Sequence, residues 1–229
     1  MINNSNQNIL IIVAHTDDET LGLGGTISRH VKKGDNVYAM SMTDGVGSRN
    51  YTYKKEIDIR IKQAEEASNI LGFKWIKGGE FPDNSMDSVS ILEITKSIEA
   101  AKDKIKPKFI YTHSSADLNI DHRLVSQATL TAFRPQDNDI WQEIRAFEVP
   151  SSTDYGHKSI TQLFYPNLYI DITDFWTKKL KALNAYTSEI RDAPHSRSIY
   201  GVESLAKYRG SQVGLYYAEA FEVIRKIER

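Results

Sequence analysis

The chain has no cysteine, so disulfides and thiolate metal sites are excluded and any bound metal must be held by histidine and carboxylate. It has no charge excess either, with 29 basic residues facing 30 acidic ones. Without a positive field to draw nucleic acid or an anionic membrane, small neutral or mildly charged partners are expected. No apolar run approaches the roughly 20 residues of a membrane-spanning helix. The N-terminal MINNSNQN is polar and uncharged and the run behind it is too short for a signal peptide, so the reading is a cytoplasmic protein. Internal repeats, low-complexity tracts and composition breaks are also missing. A chain of 229 residues, 40% of them hydrophobic, is therefore read as one domain over 1–229. Oligomeric state is not legible.

What is present is an alternation of two hydrophobic periods. NILIIVA (8–14) is a continuous apolar run of strand length, the pattern of a strand covered on both faces. Residues 19–33 read as a helix with Gly34 placed as its cap, followed by a strand at 36–43. Residues 54–71 carry one stripe, Ile57, Ile61, Ala64, Ser68 and Leu71, and end at Gly72. A short strand at 73–77, a helix at 88–105, a strand at 108–113 and a helix at 121–133 follow. This β-α alternation predicts a three-layer α/β/α, Rossmann-like domain with a mostly parallel sheet.

The second half is less regular. Strands are expected at 143–149, 167–172 and 216–224, with a helix over 174–191 buried along Trp176, Leu180, Leu183, Thr187 and Ile190. The stretch 150–166 is expected to be a long loop near the site. Most of Tyr155, Tyr165, Tyr200, Tyr208, Tyr216, Tyr217, Trp141 and Trp176 are expected in the core, and EVIRKIER is read as a solvated tail.

Two clusters carry chemistry. His15, Asp17 and Asp18 follow the first strand, and DLNIDH (117–122) follows the fourth, where sheets of this kind bind ligands. Taken singly, Asp17, Asp18 and Glu19 suit a helix N-terminus. Taken together, the clusters offer His15, His122 and several carboxylates, the ligand types of a catalytic zinc site with a position left for water. A dinucleotide reading of GLGGT (22–26) fails because G-x-G-x-x-G needs glycine where Ile27 stands. Those small residues instead suit close approach of the helix to the sheet.

AHTDDETLGLGGTI resembles the signature of the PIG-L/LmbE-type N-deacetylases, usually written A-H-P-D-D-E, with Thr16 in place of proline. The resemblance continues through TDG (43–45), ILGF (70–73), KPKFIYTH (106–113), DLNIDHR (117–123) and YRGSQVG…AEAF (208–221), over nearly the whole chain. It implies an enzyme that hydrolyses the acetamide of an N-acetylated amino sugar or its conjugate. His15, Asp18 and His122 would be the ligands of Zn2+, with Fe2+ or another divalent metal accepting the same set, and Asp17 the general base. Many members read His-Pro-Asp-His where this chain has Asn119-Ile120-Asp121-His122. Asn119 donates a hydrogen bond toward the oxyanion but supplies no proton. The leaving amine would then be protonated by Asp17 itself or by His113. Asp121 either orients His122 or caps its helix, and Asp44, Arg60 and Arg209 are candidate substrate contacts. Asp44 also suits a turn with Gly45, Arg60 a solvated helix face, and Arg209 with Glu219 a structural pair. His157 and His195 read as ordinary surface residues. A non-catalytic sugar-binding relative, or a metal hydrolase for another amide or ester, is the alternative.

Overall fold

The computed structural model describes residues 6–48, 54–157 and 162–228. Seven strands, β1 (Asn8–Val13), β2 (Asn36–Ser41), β3 (Lys74–Trp75), β4 (Phe109–His113), β5 (Glu143–Phe147), β6 (Leu168–Asp171) and β7 (Ala218–Lys226), form one sheet in the order β3-β2-β1-β4-β5-β7-β6. The first five are parallel, and β7 runs antiparallel between β5 and β6. The chain steps outward from β1 to β3 and then returns to lay β4 on the other side of β1. The crevice beyond the carboxyl ends of β1 and β4 is thus the topological switch point, the place such sheets reserve for ligands.

Among the described residues, six α-helices cover the sheet: α1 (Asp18–Lys32), α2 (Lys54–Leu71), α3 (Ile91–Ile105), α4 (Ile120–Ala132), α5 (Trp176–Ala185) and α6 (Ile199–Ser211). Alternate residues of β1 point to opposite faces. Ile9, Ile11 and Val13 pack with Leu23 and Ile27 of α1, Leu71 of α2, Leu183 of α5 and Val202 of α6. Leu10 and Ile12 pack with Ile94 and Ile98 of α3 and Val125 of α4. The apolar run is continuous because both faces are covered, giving the expected three layers. Each such side chain contributes about 1.5–3 kcal/mol by its burial. Local chemistry sets the helix ends. Asn119 caps α4, its Oδ1 accepting from the Asp121 N–H at 2.8 Å, and Gly34 (φ 87°) turns the chain out of α1. Among the described residues no helix is long and apolar enough to cross a membrane.

The irregular half departs from expectation. The helix begun at Trp176 ends at Ala185, six residues short, and the following connector brings Glu189 to Arg60 and Arg197 to Asp17. Its stripe differs as well, since Lys179 and Ala182 are buried alongside Trp176 and Leu183. α6 had no sequence signal because its buried face is only Val202, Ala206 and Gly210, with two glycines lowering its propensity. β7 continues to Lys226, so the charged end is largely strand rather than a free tail, though it is solvated as expected, with Ile224, Arg225 and Lys226 exposed. Tyr155, Tyr165, Tyr200, Tyr208 and Tyr216 are exposed while Trp141 and Trp176 are buried, reversing the expectation for most of the tyrosines. A phenol edge tolerates water in a way that an aliphatic chain does not. Of the expected loop at 150–166, residues 158–161 lie outside the described residues.

Close approach of α1 to the sheet is the tightest constraint. A methyl group built on Gly25 would lie 2.7 Å from Cβ and Cγ2 of Ile172, a β-branched side chain that cannot swing away. Gly25→Ala is therefore expected to destabilise the protein by about 1–3 kcal/mol, as overpacking does, measured by urea unfolding. An unchanged midpoint would show that the contact is slack.

Candidate metal centre at the carboxyl ends of the strands

His15 lies in the turn after β1, Asp18 begins α1, and His122 lies in the first turn of α4. Tertiary structure brings them together. His15 Nδ1 and His122 Nε2 are 3.2 Å apart, and Asp18 Oδ2 lies 3.3 Å from each. All three residues are buried or nearly so. For tetrahedral coordination with bonds near 2.0 Å, two ligand atoms are separated by about 3.3 Å. The triangle has that edge on every side. Three atoms rich in lone pairs at this spacing repel unless a proton or a cation sits among them, so donor chemistry and geometry both fit a divalent ion.

Protonation reflects the same crowding. Against the downward pull of burial, Asp18 and Asp117 hold the His122 pKa up at about 9. Burial also opposes charge on His15, but the hydrogen bonds its ring donates to Asp121, Asp18 and Asp83 raise its pKa well above 6.5. Asp18 is held well below the ordinary carboxylate range: burial pushes its pKa up, and the charge on His122 together with hydrogen bonds from the His122 and His15 rings outweighs that.

Each imidazole of the triangle is oriented from behind. His122 Nδ1 faces Asp117 Oδ2 at 3.0 Å, and Asp117 is fixed by the hydroxyls of Ser152 and Thr153 and the N–H of Asn119. His15 Nε2 lies 3.1 Å from Asp83 and 3.4 Å from Asp121. The carboxylate behind His122 is thus Asp117 rather than Asp121. Nor does Asp121 cap α4, because its own carboxylate accepts the N–H groups of Asn84 and Met86.

Asp17 stands beside this triangle on a strained backbone, φ 137°, rare for any residue but glycine. Its N–H donates to Glu19 Oε2 at 2.9 Å, Oδ1 pairs with Arg60 at 2.8 Å, and Oδ2 lies 3.2 Å from Arg197. Burial raises its pKa, and the two guanidinium groups oppose that rise. Glu19, which also accepts from Thr20 and Tyr186, is lifted by burial to about 7.

Residues 10–133 match the family model described as PIG-L, GlcNAc-PI de-N-acetylase. The chain belongs to the PIG-L family. A diacetylchitobiose deacetylase from Thermococcus kodakarensis is 25% identical, the alignment covering 96% of this chain and 84% of that protein. The N,N'-diacetylchitobiose deacetylase of Pyrococcus horikoshii superposes with a TM-score of 0.77 at 25% identity, covering 96% of this chain and 84% of that one. A 4-carboxy-2-hydroxymuconate hydratase from Pseudomonas putida also superposes at 0.77, with 20% identity over 97% and 99% of the two chains, which shows a shared fold.

Within this PIG-L fold the remaining candidates divide. Arg60 is buried and donates to Thr16, Asp17 and Glu189, so it is no solvated helix-face charge. Arg60 and Asn119 both line a cavity of about 170 Å³ that opens on His15, Asp18 and His122, but Asn119 Nδ2 donates to Asn84. His113 is fully buried: its Nε2 accepts the Ala14 N–H at 2.9 Å, and its ring stacks on His122 with centroids 3.9 Å apart. Burial and the neighbouring His122 hold its pKa down to about 3.

Asp44 and Arg209 lie outside the cavity lining. Asp44 accepts the N–H groups of Val46 and Gly47 in a turn, with Gly45 at φ 70°. Arg209 forms a two-pronged pair with Glu148, both contacts 2.7 Å, so Arg209 and Glu219 are not paired with each other. His195 is exposed and accepts the Arg197 N–H, and His157 is also exposed.

Sequence reasoning missed Asp83, Asp117, Glu189 and Arg197. Only Asp117 had a local signal, as the first residue of DLNIDH; the others reach the site from distant loops. A larger cleft, about 970 Å³, opens at the other ends of the strands around Arg29, His30 and Arg145. Among the described residues, every trio of potential metal donors lies at the switch point and not there.

A folded-state pKa near 9 for His122, against an ordinary 6.5, means that the folded protein holds a proton the unfolded chain releases. This stabilisation is complete below about pH 6.5 and is lost as pH rises through about 9. With a chelator present, the urea-unfolding free energy should fall across that window, and Asp117→Asn should flatten the fall. A flat wild-type profile would contradict the assigned charge state.

Proposed function

We propose that this protein is a metal-dependent N-deacetylase that releases acetate from an N-acetylated amino sugar or its conjugate, acting as one domain over the whole chain. The observation that carries the reading is the 3.2–3.3 Å triangle of His15, Asp18 and His122 with Asp17 beside it. Family membership and the two diacetylchitobiose deacetylases support the reaction class. The cavity is lined by Ser48, Asp83, Asn84, Asn119, Glu189 and Arg197, a set of donors and acceptors suited to a ligand rich in hydroxyl groups.

His15, Asp18 and His122 would hold the ion, with Zn2+ the first expectation and Fe2+ accepting the same nitrogen and oxygen donors. When bound, such an ion supplies Lewis acidity and lowers the pKa of a water molecule. Asp17 takes the proton from the attacking water as the water oxygen bonds to the acetamide carbon. A carboxylate has about four lone-pair sites, so the contacts to Arg60 and Arg197 leave capacity for that proton. Its raised pKa suits both taking the proton and returning it to the amine nitrogen as the C–N bond breaks.

His113 is assigned a supporting role, because its Nε2 is committed to Ala14 and its pKa of about 3 leaves it neutral. Asn119 caps α4 and ties it to Asn84, and Arg60 and Arg197 hold Asp17 in its strained conformation. Asp44 and Arg209 are assigned to the turn and the ion pair in which they are found.

The decisive measurement is acetate release across N-acetylhexosamines, their oligomers and nucleotide conjugates. Asp17→Asn is expected to keep the metal and lose about 10²–10⁴-fold in kcat, the range for a general base. His122→Ala is expected to lose both metal and turnover. Acetate release by either variant at the wild-type rate, or none from any substrate by the wild type, overturns the reading.

A further inference from the structure

α1 is not one helix. At Leu23 the backbone leaves helical geometry (φ −145°, ψ 23°), dividing a first segment that carries Asp18 from a second that runs to Lys32. Such a break strands polar groups on both sides, here in the protein interior, where they need partners. Both sides are answered by a single ion pair from the other half of the chain. Glu219 of β7 accepts the Gly25 N–H at 2.9 Å and the Thr26 N–H at 2.7 Å, capping the second segment. Lys179 of α5 donates to the Leu21 carbonyl of the first segment at 2.8 Å and to Glu219 at 2.7 Å. Lys179 and Glu219 are both buried, a costly placement for two charges.

We propose that the Lys179–Glu219 pair is a clasp that sets the angle between the two segments of α1 and so aims Asp18 at the metal centre. Neither residue touches the reacting atoms; both are positioning residues, and the inference rests on the metal reading above. The leverage is large. About 7.5 Å of helix separates Leu23 from Asp18 at 1.5 Å per residue, so a tilt of about 5° moves Asp18 by about 0.7 Å. A metal–ligand bond tolerates about 0.2 Å. Neither segment can correct the tilt by sliding, because Gly22 is pressed on Phe147 and Gly25 on Ile172 with no room for a methyl group at either. The glycines of GLGG thereby gain a purpose: they let a broken helix lie against the sheet with its break open to the clasp.

Glu219→Gln keeps the shape but presents an NH2 where the carboxylate accepted one of the two N–H groups. Zinc affinity is measured by chelator competition, and coordination geometry by the visible spectrum of the cobalt(II)-loaded protein. Glu219→Gln is expected to raise the zinc Kd about 10- to 100-fold, as loss of supporting contacts does, and to change the cobalt band intensity. Lys179→Met, which leaves the carboxylate on both N–H groups, should weaken zinc by about tenfold. Lys102→Met serves as the stability control, breaking the pair between Lys102 of α3 and Asp139 of the loop before β5; it should lower the melting temperature and leave both metal readouts unchanged. Either clasp variant, folded by circular dichroism and showing wild-type zinc affinity and cobalt spectrum, overturns the clasp alone. A wild-type protein that binds neither ion overturns the metal reading and this inference with it.

Discussion

Three electron-rich atoms held 3.2–3.3 Å apart in a buried crevice are the constraint around which this structure is arranged. Without a proton or a cation among them they repel, and each comes from a different part of the fold: the turn after β1, the start of α1 and the first turn of α4. Their convergence depends on β1 and β4 being neighbours, on α1 and α4 starting at the same rim, and on the rings being locked by Asp117 on one side and Asp83 and Asp121 on the other. The strand order is thus a statement about the site. Reversal of direction at β1/β4 opens a gap between loops, and the polar side chains converge in that gap.

Around the triangle the protein accepts a dense set of buried charges. Asp17, Arg60 and Glu189 form one chain, Lys179 and Glu219 another. Pairs of this kind add little stability compared with apolar packing, because desolvation cancels much of the attraction. What they provide is direction. Each closes on a backbone or side-chain atom that has to point a particular way: Asp17 on its strained φ, and the two ends of the broken α1. The apolar packing supplied by the β1 run and its helices is what allows the fold to carry these groups.

PIG-L membership and the shared fold of a hydratase show that this scaffold is not tied to one reaction. What distinguishes chemistries on it is the set of groups within proton-transfer reach of the rim. In this chain the amide of Asn119 is spent on capping α4 and on Asn84. In the mechanism proposed above, proton traffic falls to Asp17, whose surroundings are built from Arg60 of α2 and Arg197 of the connector before α6.

The amino-acid sequence by itself determined the layered architecture, because a strand buried on both faces and helices with a single apolar stripe leave periodic marks that local physics reads directly. It also marked His15, His122 and a group of carboxylates, since their two clusters follow strands, and the family resemblance singled out Asp18 among them. It did not determine α6, whose buried face of Val202, Ala206 and Gly210 is too sparse to register, nor the early end of the helix at Ala185. Nor did it disclose Asp83, Arg197 or the Lys179–Glu219 pair. A buried charge is recognisable only by the partner that makes its burial tolerable, and these partners lie tens to nearly two hundred positions away. Only tertiary structure decided which of thirty carboxylates meets a histidine, which meets a guanidinium, and which closes a break in a helix.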